Sequence, residues 1–248
     1  MTPRTRTEVV VLPAKDDVAR RGAEELVAAA GEAIGARGQF TVALSGGSTP
    51  VGMYKLLAAE PYRSQVAWEH VQFYWSDERC VPPDHPDSNY GAAARALLDG
   101  LSLPEEHVHR MRGEADPDAA AAEYDADVRA VVPGSPPAFD VIYLGMGDDG
   151  HTASLFPHTR ALHVTDRLVS SNYVEKLDTH RLTFTSTLIN AAKRVIMLVT
   201  GEGKAESLKA VLEGERDPET YPSQLVAPAT GQLLWVVDEP AAKLLSRR

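Results

Sequence analysis

Short apolar runs alternate with longer amphipathic stretches along most of the chain. Runs rich in β-branched and aromatic residues predict strands, and apolar residues repeated every three or four positions predict helices. The predicted strands are 8–13, 40–45, 70–77, 139–147 and 167–174, then 180–187 and the starts of 194–214 and 232–245. The predicted helices are 16–36, 51–60, 88–100 and 114–132, then the ends of 194–214 and 232–245.

Strands that alternate with helices, several of them apolar throughout, indicate an α/β fold with a mostly parallel sheet. We therefore predict three layers, α/β/α, with helices on both faces of the sheet. The region 167–187 interrupts the alternation and predicts a small additional strand region, either an inserted hairpin or a locally antiparallel part of the sheet. No repeat or linker divides the sequence, so 1–248 is predicted to be a single domain.

Composition and net charge limit the kinds of molecule that this protein is expected to bind. The chain has 248 residues, 44% hydrophobic and 24% charged, with a formal net charge of −10. A negative field repels nucleic acid, and no apolar run approaches the roughly 20 residues of a membrane helix. The single cysteine, Cys80, excludes an internal disulfide. These features predict a soluble, cytoplasmic protein that is a monomer or a small homo-oligomer and acts on a small molecule.

Two loops at predicted strand ends carry residues suited to an anion. Gly46, Gly47, Ser48 and Thr49 follow a strand and open a helix, where backbone amides and hydroxyls can hold phosphate. A capped turn explains that loop equally well. Arg79 ends the next strand, and its guanidinium can bind phosphate or carboxylate in bidentate fashion. A salt bridge with neighbouring acids is the plainer interpretation of Arg79.

A third loop has the sequence LGMGDDGHTASLFP, with Asp149 and His151 on either side of one glycine. A carboxylate that orients a histidine suits a general base. A lone histidine is more often a surface or packing residue, but the glycines and the strand-end position favour function here. His158 and His163 lie close in sequence, but their spacing with His151 matches no standard zinc motif.

Two further basic residues are candidates for binding an anion. Lys204 sits at a glycine-rich turn between a strand and a helix, where its ammonium can meet a phosphate. A solvated helix-start lysine is the commoner case. Arg181 is an isolated cation in a predicted strand, either at a sheet edge or as another anion ligand. No GxSxG elbow and no GxGxxG fingerprint with a downstream acid is present, which disfavours a serine hydrolase and a dinucleotide enzyme.

The segments SGGSTP, SDER, GMGDDGHTASLFP and GEGK, in this order over nearly the whole chain, resemble the 6-phosphogluconolactonase family. That family groups with the glucosamine-6-phosphate deaminases and is related to ribose-5-phosphate isomerases and CoA transferases. The resemblance implies an α/β/α fold. It also implies hydrolysis of 6-phospho-D-glucono-1,5-lactone to 6-phosphogluconate in the oxidative branch of the pentose phosphate pathway, with no metal or organic cofactor.

The resemblance also implies roles for matching residues. It assigns catalysis to His151 with Asp149 beside it and to Arg79, and sugar-phosphate binding to Gly46, Gly47, Ser48, Thr49, Arg181 and Lys204.

Two alternatives stay open. A deaminase or isomerase would act on an amino-sugar or pentose phosphate, but deaminases typically read GxDGHIAFNEP where this chain has TASLFP after His151. They also tend to have DEY where this chain has Asp77, Glu78 and Arg79. A sugar-phosphate sensor without catalysis is the second alternative. Such regulators usually carry a DNA-binding segment, and none is expected before residue 8 or after residue 240.

Overall fold

The structure is a computed structural model that describes residues 6–246. Its nine strands are β1 (Arg6–Leu12), β2 (Phe40–Leu44), β3 (Val71–Trp75), β4 (Asp77–Arg79), β5 (Val141–Leu144), β6 (Val169–Val174), β7 (Thr179–Phe184), β8 (Arg194–Val199) and β9 (Gln232–Asp238). Its seven α-helices are α1 (Lys15–Arg37), α2 (Ser48–Leu57), α3 (Asn89–Ala96), α4 (Pro117–Val131), α5 (Ser186–Ala191), α6 (Ala205–Glu213) and α7 (Glu239–Ala242).

The main sheet has six strands in the order β1-β9-β8-β5-β2-β3, and every neighbouring pair is parallel. Alternate side chains of each strand enter two separate cores. Phe40, Val42 and Leu44 pack with α1, α2 and α3 on one face, whereas Ala43 packs with the other core, to which α4, α5, α6 and α7 contribute. The predicted three-layer α/β/α fold is confirmed.

A second, antiparallel sheet has the order β4-β7-β6. It confirms the predicted strand region, and β6 and β7 form the hairpin. The chain enters this sheet at Ser76, whose amide donates to Leu44 in the main sheet and whose carbonyl accepts from Phe184 in β7. The prediction of one continuous strand over 70–77 is therefore wrong at its end, since Asp77 belongs to the second sheet.

Local signals account for most helix boundaries. The hydroxyl of Ser88 accepts from the amide of Gly91 and caps α3. Gly38 ends α1 in the left-handed conformation, with φ of 73°. Some predicted boundaries are wrong: α2 spans Ser48–Leu57 rather than 51–60, and α3 ends at Ala96 rather than at 100, before a short 3₁₀ turn that reaches Gly100.

Glu78 fastens the second sheet to the start of α3. Its buried carboxylate accepts from the amides of Arg79, Asn89 and Tyr90 and from the hydroxyl of Ser88, at 2.7–3.0 Å. Burial raises the pKa of Glu78 above its ordinary value, although the hydrogen bonds from all three amides oppose the shift. The carboxylate thus fixes the strand that carries Arg79.

Replacing this carboxylate should destabilise the protein. Glu78→Ala leaves several donors without their acceptor, at a cost of about 1–3 kcal/mol for each buried one. We expect the free energy of unfolding, measured by urea denaturation, to fall by about 3 kcal/mol. Glu69→Ala, at an exposed position, is the control and should change it by no more than about 0.5 kcal/mol. Equal stability of the two variants would contradict the fastening role of Glu78.

Within residues 6–246, no helix has both the length and the hydrophobicity needed to cross a bilayer.

Candidate active site

A cleft of about 310 Å³ opens where β2, β3, β5 and β8 end, at the carboxyl edge of the main sheet. Ligands of open α/β sheets bind at this edge. Seven of the nine predicted site residues line the cleft: Gly46, Gly47, Ser48, Thr49, Arg79, His151 and Lys204. Asp149 and Arg181 do not line it but lie against residues that do, His151 and Arg79 respectively.

Asp149 and His151 form a hydrogen-bonded pair. Oδ1 of Asp149 lies 2.5 Å from Nδ1 of His151 and also accepts from the His151 amide at 3.2 Å. The imidazole stacks on Phe156, with ring centroids 4.0 Å apart. Two contacts on one oxygen and an aromatic neighbour leave the ring little freedom to turn.

The Asp149 carboxylate is kept ionised. Burial alone would raise the pKa of Asp149, but the hydrogen bond and charge of His151, with a hydrogen bond from Lys176, lower it well below its ordinary value. Nζ of Lys176 lies 3.2 Å from Oδ2. An ionised acceptor selects the tautomer with the proton on Nδ1. Nε2 of His151, which has no hydrogen-bond partner among the described residues, is then a free acceptor at the cleft.

Two positions of this loop require glycine, each for a different reason. A Cβ at Gly147 would overlap Nδ1 of His151 and lie 2.6 Å from Oδ1 of Asp149, so a side chain there is incompatible with the pair. Gly150 adopts φ of 76°, in the left-handed region, and lies against Tyr221. The loop therefore turns sharply and brings backbone against the imidazole.

The glycine–serine loop, Gly46–Thr49, lines another wall of the cleft. Gly46 packs so closely on Asn89 that a Cβ would overlap its Oδ1. Gly47 adopts φ of 102° and precedes α2, whose first-turn amides at Ser48 and Thr49 meet no acceptor in the described part of the chain. Unpaired amides at a helix start favour a bound anion.

Arg79 and Arg181 lie opposite each other in the register of β4 and β7. Burial, followed by the charge of Arg79, lowers the pKa of Arg181. Nη1 of Arg79 donates to the carbonyl of Asp87. The salt bridge with neighbouring acids that the sequence allowed does not form, because Glu78 is occupied by amides and Asp77 accepts from Ser154 and Asn89.

Lys204 approaches from the turn before α6. Thr200, at the start of that turn, shares a 2.7 Å hydrogen bond with Thr49, which joins it to the glycine–serine loop. The amide of Gly201 donates to both oxygens of buried Asp238. These contacts hold the turn so that Lys204 faces the cleft.

Sequence reasoning missed several cleft residues. Asp77 and Asn89 both line it, yet neither is among the nine predicted site residues. Lys176, which contacts Asp149, and Lys15, which contacts Ser48, have no local signal at all. Lys15 and Ser48 are 33 positions apart and Lys176 and Asp149 are 27 apart, so only the folded chain brings them together.

The other histidines near the loop do not converge on His151. His163 pairs with Glu219 at 3.2 Å, and His158 adopts φ of 58°. Within residues 6–246, no group of three or more His, Cys, Asp or Glu side chains is placed to hold a metal ion.

The fold and the cleft define the class: an α/β/α protein with an Asp–His pair and a glycine–serine loop with unpaired amides at the carboxyl edge of a parallel sheet. A family model described as glucosamine-6-phosphate isomerases/6-phosphogluconolactonase matches residues 13–235. The chain belongs to this family.

Relatives and solved structures agree with this assignment. The 6-phosphogluconolactonase of Synechocystis sp. is 45% identical over 218 residues, covering 86% of this chain and 88% of that protein. That of Nostoc sp. is 42% identical over 242 residues, covering 96% and 98%. The solved structure of 6-phosphogluconolactonase from Trypanosoma brucei superposes with a TM-score of 0.87 at 26% identity, covering 98% of this chain and 100% of that one.

Proposed function

We propose that this chain is a single-domain hydrolase that converts 6-phospho-D-glucono-1,5-lactone to 6-phosphogluconate, a step of the oxidative pentose phosphate pathway. Relatives named 6-phosphogluconolactonase, at 42–45% identity over most of the chain, support the reaction. The observation that carries the mechanism is the Asp149–His151 pair, which borders the same cleft as the glycine–serine loop and Lys204.

His151 acts as the general base and then as the general acid. A water molecule attacks C1 of the lactone, and its proton passes to Nε2, the ring nitrogen that has no partner in the described structure. The tetrahedral intermediate then collapses, the bond from C1 to the ring oxygen breaks, and the imidazolium returns the proton to that oxygen. Asp149 holds the proton on Nδ1 and stabilises the imidazolium.

Arg79 stabilises the oxyanion. The amides of Gly147, Gly150 and His151 already donate within their own loop, so they are not free to bind the oxyanion, whereas the Arg79 guanidinium lines the cleft. Nη1 is held by the Asp87 carbonyl, so the group is oriented before substrate arrives. Donors that are fixed in advance are the usual basis of oxyanion stabilisation.

The phosphate binds at the other loops. Free amides of the glycine–serine loop, the hydroxyls of Ser48 and Thr49, and the ammonium of Lys204 supply its donors. Arg181 adds positive charge from behind Arg79. The phosphate is remote from C1, so its binding energy orients the lactone against His151.

Asp149→Asn tests the Asp149–His151 pair while the size of the side chain stays nearly the same. An amide is uncharged and presents either an oxygen or an NH₂ group to Nδ1, so the tautomer is no longer fixed and the imidazolium loses its counter-charge. We expect kcat to fall by about 10²–10⁴-fold, with KM nearly unchanged, in steady-state kinetics. Asp148→Asn, next in sequence but without contact to His151, is the control. Similar rates for the two variants would show that Asp149 does not act through the histidine.

The reaction itself is tested with freshly generated 6-phosphoglucono-δ-lactone, measured above its spontaneous hydrolysis, with and without EDTA. We expect fast turnover in both conditions. EDTA-sensitive turnover would show a required metal. No acceleration would contradict the lactonase assignment, and glucosamine-6-phosphate and ribose-5-phosphate would then be the substrates to test, with binding in the absence of turnover indicating a sensor.

A further inference from the structure

A second cavity lies beside the cleft, on the outer side of the glycine–serine loop. This side cavity has a volume of about 630 Å³ and is lined by Lys15, Asp16, Lys55 and residues of α2 and α3. It shares Gly47, Ser48, Arg79 and Asn89 with the cleft, so the two spaces meet at the loop that we assign to phosphate.

Lys15 enters this side cavity from the first residue of α1. Its Nζ lies 2.7 Å from Oγ of Ser48. In the described part of the chain Lys15 has no carboxylate within ion-pair distance, although Asp16 follows it directly and lines the same cavity. The ammonium therefore brings to the glycine–serine loop a positive charge that is not held in an ion pair.

The contact fixes the direction of the Ser48 hydroxyl. An ammonium only donates hydrogen bonds, so Oγ of Ser48 must accept from Lys15, and its own proton remains available to another acceptor. Ser48 lines the cleft as well as the side cavity. Because the Lys15 ammonium donates to one lone pair of Ser48 Oγ, the hydroxyl can donate its own proton into the cleft, where an anion would bind.

The start of α2 is electrostatically unusual in this protein. Of the seven α-helices in residues 6–246, it alone has neither a side-chain cap nor an acidic residue in its first turn. Elsewhere an Asp, Glu, Ser or Thr side chain satisfies or balances the helix start. At the start of α2 no side chain caps the first-turn amides, and Lys15 lies beside them. This arrangement repels cations and attracts an anion.

We propose that Lys15 is a further phosphate-binding residue. It orients the Ser48 hydroxyl and adds positive charge from the side cavity, whereas Lys204 adds it from the cleft. The inference rests on the proposed function for the identity of the ligand. Because Lys15 lines the side cavity and not the cleft that holds His151, it affects binding of the phosphorylated substrate and not the chemical step.

Lys15→Met tests the inference, since it removes the charge but keeps an unbranched side chain at an exposed helix start. We expect KM for 6-phosphoglucono-δ-lactone to rise about tenfold, with kcat within twofold of the parent. Lys55→Met is the matched control, because Lys55 lines the same side cavity but makes no contact with Ser48, and it should retain the parental KM. A parental KM in Lys15→Met would overturn the inference.

A binding measurement separates this inference from the proposed reaction. Calorimetry with 6-phosphogluconate should show an affinity about tenfold lower in Lys15→Met, and a Ser48→Ala background should reduce that difference because the two residues act through one contact. A parent that binds 6-phosphogluconate but does not hydrolyse the lactone would overturn the proposed function alone. Equal affinities of the parent and Lys15→Met would overturn the role of Lys15 alone.

Discussion

His151→Ala should lower kcat by about 10²–10⁴-fold while the protein stays folded. The substitution removes the free Nε2 at the cleft, so neither the attacking water nor the departing ring oxygen has a partner for proton transfer. The side chain is about a quarter exposed and lies in a loop, so its loss removes little core packing. The measurement is initial-rate hydrolysis of the lactone, with circular dichroism and thermal unfolding to establish that the variant is folded.

His163→Ala is the matched control for that substitution. His163 follows the LGMGDDGHTASLFP segment that contains His151, but it is 66% exposed and pairs with Glu219 away from the cleft. It should retain parental kcat. If His151→Ala instead kept a rate within a few-fold of the parent, the base would have to be another group of the cleft, and buried Asp77 would be the next to replace.

Gly147→Ala should be nearly as damaging to the rate although it adds one methyl group. The new Cβ would occupy the space of Nδ1 of His151, and the imidazole would have to leave its 2.5 Å contact with Asp149. Gly147 is not in the left-handed region, so alanine strains the ring position and not the backbone. A displacement of about 1 Å in a catalytic group is enough for a loss of about 100-fold in kcat.

Gly145→Ala separates this effect from a general intolerance of the loop. Gly145 belongs to the same glycine-rich segment and lines the cleft, but among the described residues nothing lies within 4 Å of a Cβ built there. We expect the Gly145 variant to keep kcat within about threefold of the parent, with similar thermal unfolding for both. A parental rate in Gly147→Ala would show that the observed His151 orientation is not needed for catalysis.

These variants distinguish three contributions to one site. In the proposed mechanism His151 supplies proton transfer, and Asp149 and Gly147 fix where the ring nitrogen points. The same proposal places Lys15 and Lys204 at the phosphate. A lower kcat in the first group of variants and a higher KM in Lys15→Met would place proton transfer and phosphate binding at different ends of the cleft.

The sequence by itself determined most of the strands and helices and the loops between them, but not α5, which begins within the predicted strand 180–187. An apolar run such as 40–44 has only one way to bury both of its faces, in a covered sheet, and caps such as Ser88 act within a few residues. Since parallel strands expose their carboxyl ends at one edge, the sequence also indicated that the loops with Gly46, Arg79, His151 and Lys204 meet.

The tertiary structure decided what depends on register and on distant parts of the chain. Ser76 transfers the chain from one sheet to the other, and the pairing of β4 with β7 then sets Arg181 against Arg79. No local pattern identifies β7 as the partner of β4, because the two strands are far apart in the sequence and meet only when the chain has folded. For the same reason the contact of Lys15 with Ser48, across 33 positions, exists only in the folded chain.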